Sequence, residues 1–578
     1  MMKRAALRQR LIQACSLSFF LYLLGSAVWT EAESLIPRDL YLRLDPLAAL
    51  LIPPAARAWL PALLPGAALI VCAPVIGRIF CGYICPMGAT LDLGCFIGRR
   101  IAGDIGKDAG RIYLQPYLNR VKYLLLAAML TAAFAGVNLV YWGSPISLVT
   151  RFWGLVMHPF ASAAADLGLD AGRPLFESLG FTALLYLDFE PRRFDGIYFT
   201  LGFFLLLFIL EQSRPRFWCR YLCPAGAILG LASLRPALRR GVDGCNACGV
   251  CARSCPGGAI VPEAAFRTRH SECLTCMNCV DVCPRKATSF SFFPPEAQNT
   301  APGKRATEGV TGTAGTKEAK ESCAPPLPSR RAFLGAGAAG IVTAAAQYSG
   351  ASSLLGSTGR GSLWTADLLR PPGALPETDF QRRCIRCGEC MKICPGNALQ
   401  PAWFQAGVEG MFSPVFVPRR GPCEPDCTAC GRVCPTGAIR SLIREEKYRA
   451  KIGTAAVNRS RCVAWAEKKR CVVCEETCPF ASIALVRVPG SDIPAPVVDP
   501  LRCFGCGYCE NYCVTRVPAV TVEPLNSLRM VSGSYRETAE QLGLKLNPWA
   551  ENEEAAPADS GGDLPPGFLP LEPDKTDQ

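Results

Sequence analysis

Residues 245–256 read Cys245-Asn-Ala-Cys248-Gly-Val-Cys251-Ala-Arg-Ser-Cys255-Pro256. Residues 273–284 repeat the spacing as Cys273-Leu-Thr-Cys276-Met-Asn-Cys279-Val-Asp-Val-Cys283-Pro284. The pattern C-x2-C-x2-C-x3-C-P is that of bacterial-type [4Fe-4S] ferredoxin modules. Two-residue gaps let three successive sulfurs wrap one cubane cluster, while the fourth Cys, held by the following Pro, reaches the other cluster of a two-cluster fold. One cluster is therefore expected on Cys245, Cys248, Cys251 and Cys283, and its partner on Cys273, Cys276, Cys279 and Cys255.

Four more quartets follow: Cys384, Cys387, Cys390, Cys394; Cys423, Cys427, Cys430, Cys434; Cys462, Cys471, Cys474, Cys478; and Cys503, Cys506, Cys509, Cys513. Together the six account for 24 of the 32 cysteines in the 578-residue chain. Two of them open with a longer gap, three residues from Cys423 to Cys427 and eight from Cys462 to Cys471, which places the first ligand on an expanded loop. The last quartet is followed by Val514 in place of Pro. Six [4Fe-4S] clusters are expected. Among the last four quartets, adjacent pairing and nested pairing (first with fourth, second with third) both remain open. Zinc sites usually come as two C-x2-C pairs without the third Cys and the Cys-Pro, and a disulfide scaffold would not repeat one spacing so closely.

Working outward from the first pair, the preceding 240 residues are apolar. The chain is 50% hydrophobic with a positive mean hydropathy. Apolar segments near residues 11–30, 61–80, 121–141 and 196–211 read as four membrane spans, the last one short against the ~17–25 residues usually needed. No clear small-residue cleavage site follows the first segment, so it reads as an anchor and not as a signal peptide. Basic residues cluster at Lys3, Arg4, Arg8 and Arg10, at Arg99, Arg100, Lys107 and Arg111, and at Arg214, Arg216, Arg220, Arg235, Arg239 and Arg240. By the positive-inside rule this gives a cytoplasmic N-terminus and a cytoplasmic first ferredoxin pair. The segment 142–195 becomes an outer loop, with Trp142, Phe152 and Trp153 as an interface belt. The same clustering accounts for the net charge of +13 without invoking nucleic acid, for which no module is present.

The second and fourth apolar segments each run into a C-x3-C-P motif, Cys81-Gly-Tyr-Ile-Cys85-Pro86 and Cys219-Arg-Tyr-Leu-Cys223-Pro224. The match suggests an internal repeat. Four thiols gathered at one face can hold a metal or cofactor or act as redox-active dithiols; packing cysteines are the plainer alternative. Cys15, Cys72, Cys95 and Cys323 read as ordinary thiols. Only His158 and His270 are present. A bis-His haem is thereby excluded, as is covalent haem, since no C-x-x-C-H occurs. His158, on the expected outer loop, reads as an ordinary loop histidine. No Gly-rich dinucleotide fingerprint opens a βαβ unit, so neither NAD nor flavin is expected.

Residues 291–328 are rich in Pro, Gly, Thr, Lys and Glu and read as a flexible linker. Ser329-Arg330-Arg331-Ala332-Phe333-Leu334 then opens a mildly apolar Gly/Ala stretch that resembles a twin-arginine export signal; an ordinary fifth span or a buried helix is the alternative. Export of folded, cluster-loaded modules would place the last four quartets in the periplasm. The end of the chain, Pro-, Glu- and Asp-rich, reads as disordered.

On these motifs, residues 1–290 resemble the NapH/MauN family of membrane ferredoxins, through four spans, the Cys81/Cys85 and Cys219/Cys223 motifs and the trailing quartets. Residues 329–520 resemble the NapG/MauM family, through the twin-arginine leader and four quartets, including the stretched one at Cys462. The resemblance implies a fused pair of 4Fe-4S quinol dehydrogenase accessory proteins. The expected fold is an α-helical membrane bundle of four spans plus α+β bacterial-type [4Fe-4S] ferredoxin domains. Its divisions are a membrane domain (1–240), a two-cluster domain (241–290), the linker (291–328), the internal signal or fifth span (329–350), a four-cluster domain (375–530) and a disordered tail (545–578). The expected setting is the bacterial inner membrane. The expected function is electron transfer between the membrane quinone pool, with quinol as substrate, and a periplasmic reductase or cytochrome-type acceptor, the twin-arginine translocase acting during biogenesis. A maturation factor that keeps a partner metalloenzyme reduced, and a conduit from cytoplasm to periplasm, are the alternatives.

Overall fold

The computed structural model describes residues 4–27, 36–102, 115–179, 192–262, 266–293, 327–348, 368–403, 406–487 and 492–548. Most of the expected linker, most of the expected tail, and Cys323 lie outside the described residues. The chain divides into two compact units. The first comprises Met1–Pro191, Gly196–Ala351 and Ile385–Cys387; the second comprises Arg192–Asp195, Ser352–Cys384 and Gly388–Gln578.

Among its described residues the first unit is helical up to residue 232. Its principal helices are Arg4–Ser26, Pro46–Ala56, Leu64–Ile76, Pro86–Ala102, Gln115–Phe134, His158–Leu179, Ile197–Ser213 and Pro224–Ala232. Leu47, Leu51, Ile52, Met87, Leu91, Ile146, Val149, Phe204 and Leu207 are buried together between them. Phe152 stacks on Phe204 with centroids 4.2 Å apart. Each such side chain contributes about 1.5–3 kcal/mol when fully removed from water.

The expectation of a four-span membrane bundle is overturned. Among the described residues no helix is long and apolar enough to cross a membrane, and the multi-pass inner-membrane placement falls with it. The cause lies in where the apolar runs break and what they carry. The first helix holds Arg8, Gln9, Arg10 and Gln13 on its own length. The second run divides into a 3-10 turn Pro61–Leu63, a 13-residue helix ending at Gly77 (φ 73°) and a π turn Phe80–Ile84. The third helix begins Gln-Pro-Tyr-Leu-Asn-Arg-Val-Lys, placing Arg120 and Lys122 within it. The fourth, Ile197–Ser213, has 17 residues and buries Glu211. Residues read as an outer loop are helical from Pro145 to Leu179. Of the expected interface belt, Phe152 is buried and Trp153 donates to Thr90 Oγ1 at 3.0 Å. His158 opens a helix. The fifth-span reading of 329–350 is corrected by the same finding. Arg330–Tyr348 is a helix that packs on Gln115–Phe134, where Thr131 Oγ1 donates to the Gly337 carbonyl at 3.2 Å.

Asp45 caps the Pro46–Ala56 helix, accepting from the Leu47 N–H at 2.9 Å and from Ser144 Oγ. Its complete burial raises the carboxyl to about 6. A carboxyl whose folded pKa lies above its unfolded value binds more protons when folded, so stability falls as pH rises from about 4 to 6. Asp45→Asn keeps an acceptor for Leu47 without the charge. It is expected to stabilise the protein at pH 7 by up to about 3 kcal/mol and to flatten that slope; urea unfolding at pH 4.5 and 7 checks both, and an unchanged slope would refute the assignment.

The ferredoxin expectation is met three times over by one module. Strand Leu238–Val242 pairs antiparallel with Thr288–Phe292, bracketing the first two quartets, with a short inner pair Ile260–Val261 and Arg267–Thr268. In the second unit, an Ala374–Ile439 bridge brackets the quartets of residues 384–434, with Leu399–Pro401 and Pro414–Phe416 as the inner pair. Thr454–Val457 pairs with Val520–Glu523 around the last two quartets, with Ile483–Arg487 and Pro494–Val498 inside. Each bracket thus encloses two quartets that are neighbours in sequence.

Candidate metal centres

The four regular loops share a backbone device. The residue before the second Cys has a positive φ in each: Ala247 at 58°, Thr275 at 54°, Arg386 at 52° and Gly505 at 83°. The residue after the second Cys does so too, as Gly249 at 73°, Met277 at 60°, Gly388 at 84° and Gly507 at 82°. Left-handed residues curl the loop so that successive N–H groups face inward, the geometry that receives anions and sulfur clusters. The two irregular quartets lack this second kink, with Thr428 at −117° and Val472 at −120°. Their extra residues do the turning; in the wider gap, a helical turn Val463–Ala466 follows Cys462 directly.

Side chains then converge as the crossed-ligand rule requires. Burial is the main cause holding the thiols of Cys273 and Cys279 up at about 12, and Cys255 adds to it electrostatically from the other quartet. One cavity is lined by Cys255, Cys273, Cys276 and Cys279. Cys245 and Cys248 act in the same way on Cys251. In the second unit, a cavity is lined by Cys394, Cys423, Cys427 and Cys430, while Cys384, Cys390 and Cys434 pack in one cluster with Phe380. Cys513 acts on Cys474 together with Cys462 and Cys471. Cys478 acts on Cys506 and Cys509 together with Cys503. Among the described residues no two cysteines form a disulfide.

The cysteine that crosses over is held by backbone in each quartet. Its sulfur accepts an N–H from Ala259 (3.4 Å, Cys255), Ala287 (3.2 Å, Cys283), Ile439 (3.4 Å, Cys434), Ser482 (3.4 Å, Cys478) and Ala519 (3.4 Å, Cys513), and Cys394 accepts from Ala398 and Leu399. Such bonds favour the thiolate. Thiolate donors in apolar cavities, each met by backbone N–H groups, are the donor set of an iron-sulfur cluster. Among the described residues no three Cys, His, Asp or Glu side chains close on a single ion.

Within the second unit the groups form a row. Cys423 N–H donates to the Cys506 carbonyl at 2.8 Å, Cys430 packs against the Cys384/Cys434 group, and Cys509 feels Cys474. Lys447, 1% exposed, sits at the middle junction. Its Nζ donates to the carbonyls of Glu424 and of Pro425 (2.7 Å), and it lies 5.2 Å from the Phe504 ring centroid.

The C-x3-C-P cysteines are also brought together. Cys81, Cys85, Cys219 and Cys223 line one buried cavity with Arg78 and Phe80. Cys15 and Cys72 are exposed and Cys95 is buried apart from this cavity. Sequence reading gave no site role to Arg78, Glu272 and Lys447, and took Arg216 only for a basic residue at a membrane edge. A signal for Arg78 and Arg216 was present, since both C-x3-C-P motifs carry an Arg three residues before the first Cys. His270 is half-buried, and that burial together with Arg239 and Arg240 lowers its pKa to about 4.

Comparison with known proteins agrees with this chemistry. Residues 237–284 and 383–438 each match a 4Fe-4S dicluster domain, and residues 58–102 and 196–241 match a 4Fe-4S binding domain. The methylamine utilization ferredoxin-type protein MauM of Methylophilus methylotrophus is 38% identical over 167 residues, 28% of this chain and 72% of that protein. MauM of Methylorubrum extorquens is 36% identical over 210 residues, 35% of this chain and 91% of its own length. The ferredoxin-type protein NapG of Escherichia coli K12 is 34% identical over 212 residues, 35% of this chain and 89% of NapG. No solved structure matches. With multiple [4Fe-4S] modules and relatives covered over most of their length, the chain belongs to the MauM/NapG family of ferredoxin-type electron-transfer proteins.

Proposed function

We propose that the chain is a one-electron relay whose six quartets each supply ligands to [4Fe-4S] clusters in crossed adjacent pairs. The protein's part is to set the spacing and potential of the clusters, which carry the electron chemistry themselves. The observation that carries this reading is the Cys423–Cys506 backbone contact, because it orders the second unit's centres differently from the sequence. Electrons would pass from the centre that takes Cys384, Cys390 and Cys434 to Cys394/Cys423/Cys427/Cys430, then to Cys478/Cys503/Cys506/Cys509 and last to Cys462/Cys471/Cys474/Cys513, or in reverse.

The test is paramagnetic resonance on the partly reduced full chain. Spin coupling is expected between the second and third centres of this row, and Cys427→Ser should remove it. Coupling that survives Cys427→Ser would sink the proposed order. The resemblance of residues 1–290 to NapH/MauN supports a quinol as donor and a redox enzyme as acceptor. Reduction of the purified full chain by a soluble quinol is the expected result; clusters that respond only to dithionite would reject the quinol.

A further inference from the structure

The four C-x3-C-P thiols belong to no ferredoxin module, yet their surroundings are built. The two motifs fold alike. Each forms a π turn, Phe80–Ile84 and Trp218–Leu222, of a kind found often at functional sites, and each second Cys stands in extended conformation directly before a helix opened by Pro. Cys223 Sγ accepts the Gly226 N–H at 3.3 Å, and Cys85 accepts from Met87 and Gly88. Two helix N-termini, Pro86–Ala102 and Pro224–Ala232, thus face the cavity, where their dipoles favour negative charge.

The arginines complete a pseudo-two-fold arrangement. Arg216 Nη1 donates to the Cys81 carbonyl at 2.9 Å, and its guanidinium lies 3.7 Å from where a Cβ on Gly88 would stand. Arg78 lies closer still to the corresponding position of Gly226, its Nη2 at 2.6 Å and its Cζ at 3.7 Å. The arginine of each repeat therefore covers the glycine of the other. Arg78 and Arg216 are 2% and 1% exposed, two fixed cations beside the buried Cys85 and Cys223 and the half-buried Cys81 and Cys219. A cubane carried by four thiolates is an anion, and such cations and dipoles offset its burial.

The site also abuts the first ferredoxin pair. A Cβ on Gly82 would stand 2.5 Å from the Leu274 carbonyl, so the π turn and the Cys273–Cys276 loop touch backbone to backbone. Arg216 lies within electrostatic reach of both Cys219 and Cys276. The 4Fe-4S binding domain matched over 58–102 and 196–241 spans both C-x3-C-P motifs and stops short of Cys245.

We propose that Cys81, Cys85, Cys219 and Cys223 hold a further [4Fe-4S] cluster, which exchanges single electrons with the neighbouring Cys255/Cys273/Cys276/Cys279 centre. In that step one cluster is oxidised and the other reduced by one electron, and no bond or proton moves. The proposal rests on the electron-relay reading, but its test separates the two. Native mass spectrometry of anaerobically purified full-length protein should count seven clusters, about 28 iron atoms, and Cys81→Ser/Cys219→Ser should hold six, about 24, while keeping the resonance signals of the ferredoxin pairs. Because the wild-type count needs no variant, misfolding of the variant cannot rescue or defeat the idea. Six clusters in the wild type, a zinc ion at the site, or a Cys81–Cys219 or Cys85–Cys223 disulfide in the reduced preparation would overturn it. Failure of the relay reading would instead appear as seven clusters that no redox partner reduces.

Discussion

Glu272→Ala is expected to destabilise the first unit by about 3–5 kcal/mol, the usual cost of breaking a buried ion pair from one side. Glu272, one residue before the Cys273 loop, reaches into the helical part of that unit. There Lys122 Nζ meets its Oε2 at 2.5 Å, Arg78 Nη1 meets the same oxygen at 3.2 Å and Tyr123 OH donates to Oε1 at 3.2 Å. Arg78 also donates to the Ser271 carbonyl at 2.9 Å. Lys122 is 0% exposed and Arg78 2%, so the variant leaves two buried cations without their anion. Lys122 can respond by losing its proton, since burial already pulls it down to about 8. Arg78 cannot, because a guanidinium keeps its charge. A lysine whose folded pKa lies below its unfolded value contributes stability that grows as pH rises. The deficit of Glu272→Ala should therefore shrink between pH 7 and 10. Urea unfolding under anaerobic conditions at those two pH values reads both effects. A variant within about 0.5 kcal/mol of wild type, inside the range of ordinary surface substitutions, would show that this network does not hold the ferredoxin pair against the helices.

What the sequence made legible was chemistry with a fixed spacing. Cys-x2-Cys-x2-Cys dictates a loop that can close on one cluster, and the loops at Cys245, Cys273, Cys384 and Cys503 all show the same pair of left-handed kinks. The spacing rule also makes a crossing of the fourth cysteine the legible expectation. The choice between adjacent and nested pairing was not, because it is made by strands far apart in sequence; Thr454–Val457 finds Val520–Glu523, and no local pattern announces that partner. The membrane reading failed for a related reason. Mean apolarity over a run of residues does not see Gly77 turning the chain, nor Gln9 and Gln13 donating to the Gly82 carbonyl at 3.2 and 3.1 Å. Part of each run, such as Phe20, Leu23, Ala73, Phe204 and Leu207, is buried in helix-to-helix packing, while Val71, Leu206 and Ile209 stay exposed. The two C-x3-C-P motifs were visible as a repeat, but the arginine of one lying over the glycine of the other could be seen only in three dimensions.

Lys447→Met should lower the reduction potential of the Cys394/Cys423/Cys427/Cys430 centre by on the order of 100 mV, taking a unit charge some 8 Å away at an effective dielectric near 20 and one electron per step. The direction follows from charge alone. Reduction adds an electron to the cluster, and a buried cation stabilises the added charge. Lys447 is placed to act on this centre, being within electrostatic reach of Cys423 and Cys430. Its hydrogen bonds go to the Glu424 and Pro425 carbonyls, inside the three-residue gap between Cys423 and Cys427 that departs from the regular spacing. The expanded loop thus exposes two carbonyls that the regular loop does not have, and the lysine both satisfies them and supplies the charge. Methionine matches the length of the stem and none of the donors, so some loosening of the loop is expected as well. Lys447→Arg separates the two contributions, since it keeps the charge while changing the donor geometry. A potentiometric titration followed by paramagnetic resonance would show one centre moving downward in Lys447→Met and little movement in Lys447→Arg. The Cys462/Cys471/Cys474/Cys513 centre, at the end of the proposed row, should keep its potential in both. Equal shifts at every centre, or a shift of the same size in Lys447→Arg, would mean that loop geometry and not the buried charge sets the potential at the junction.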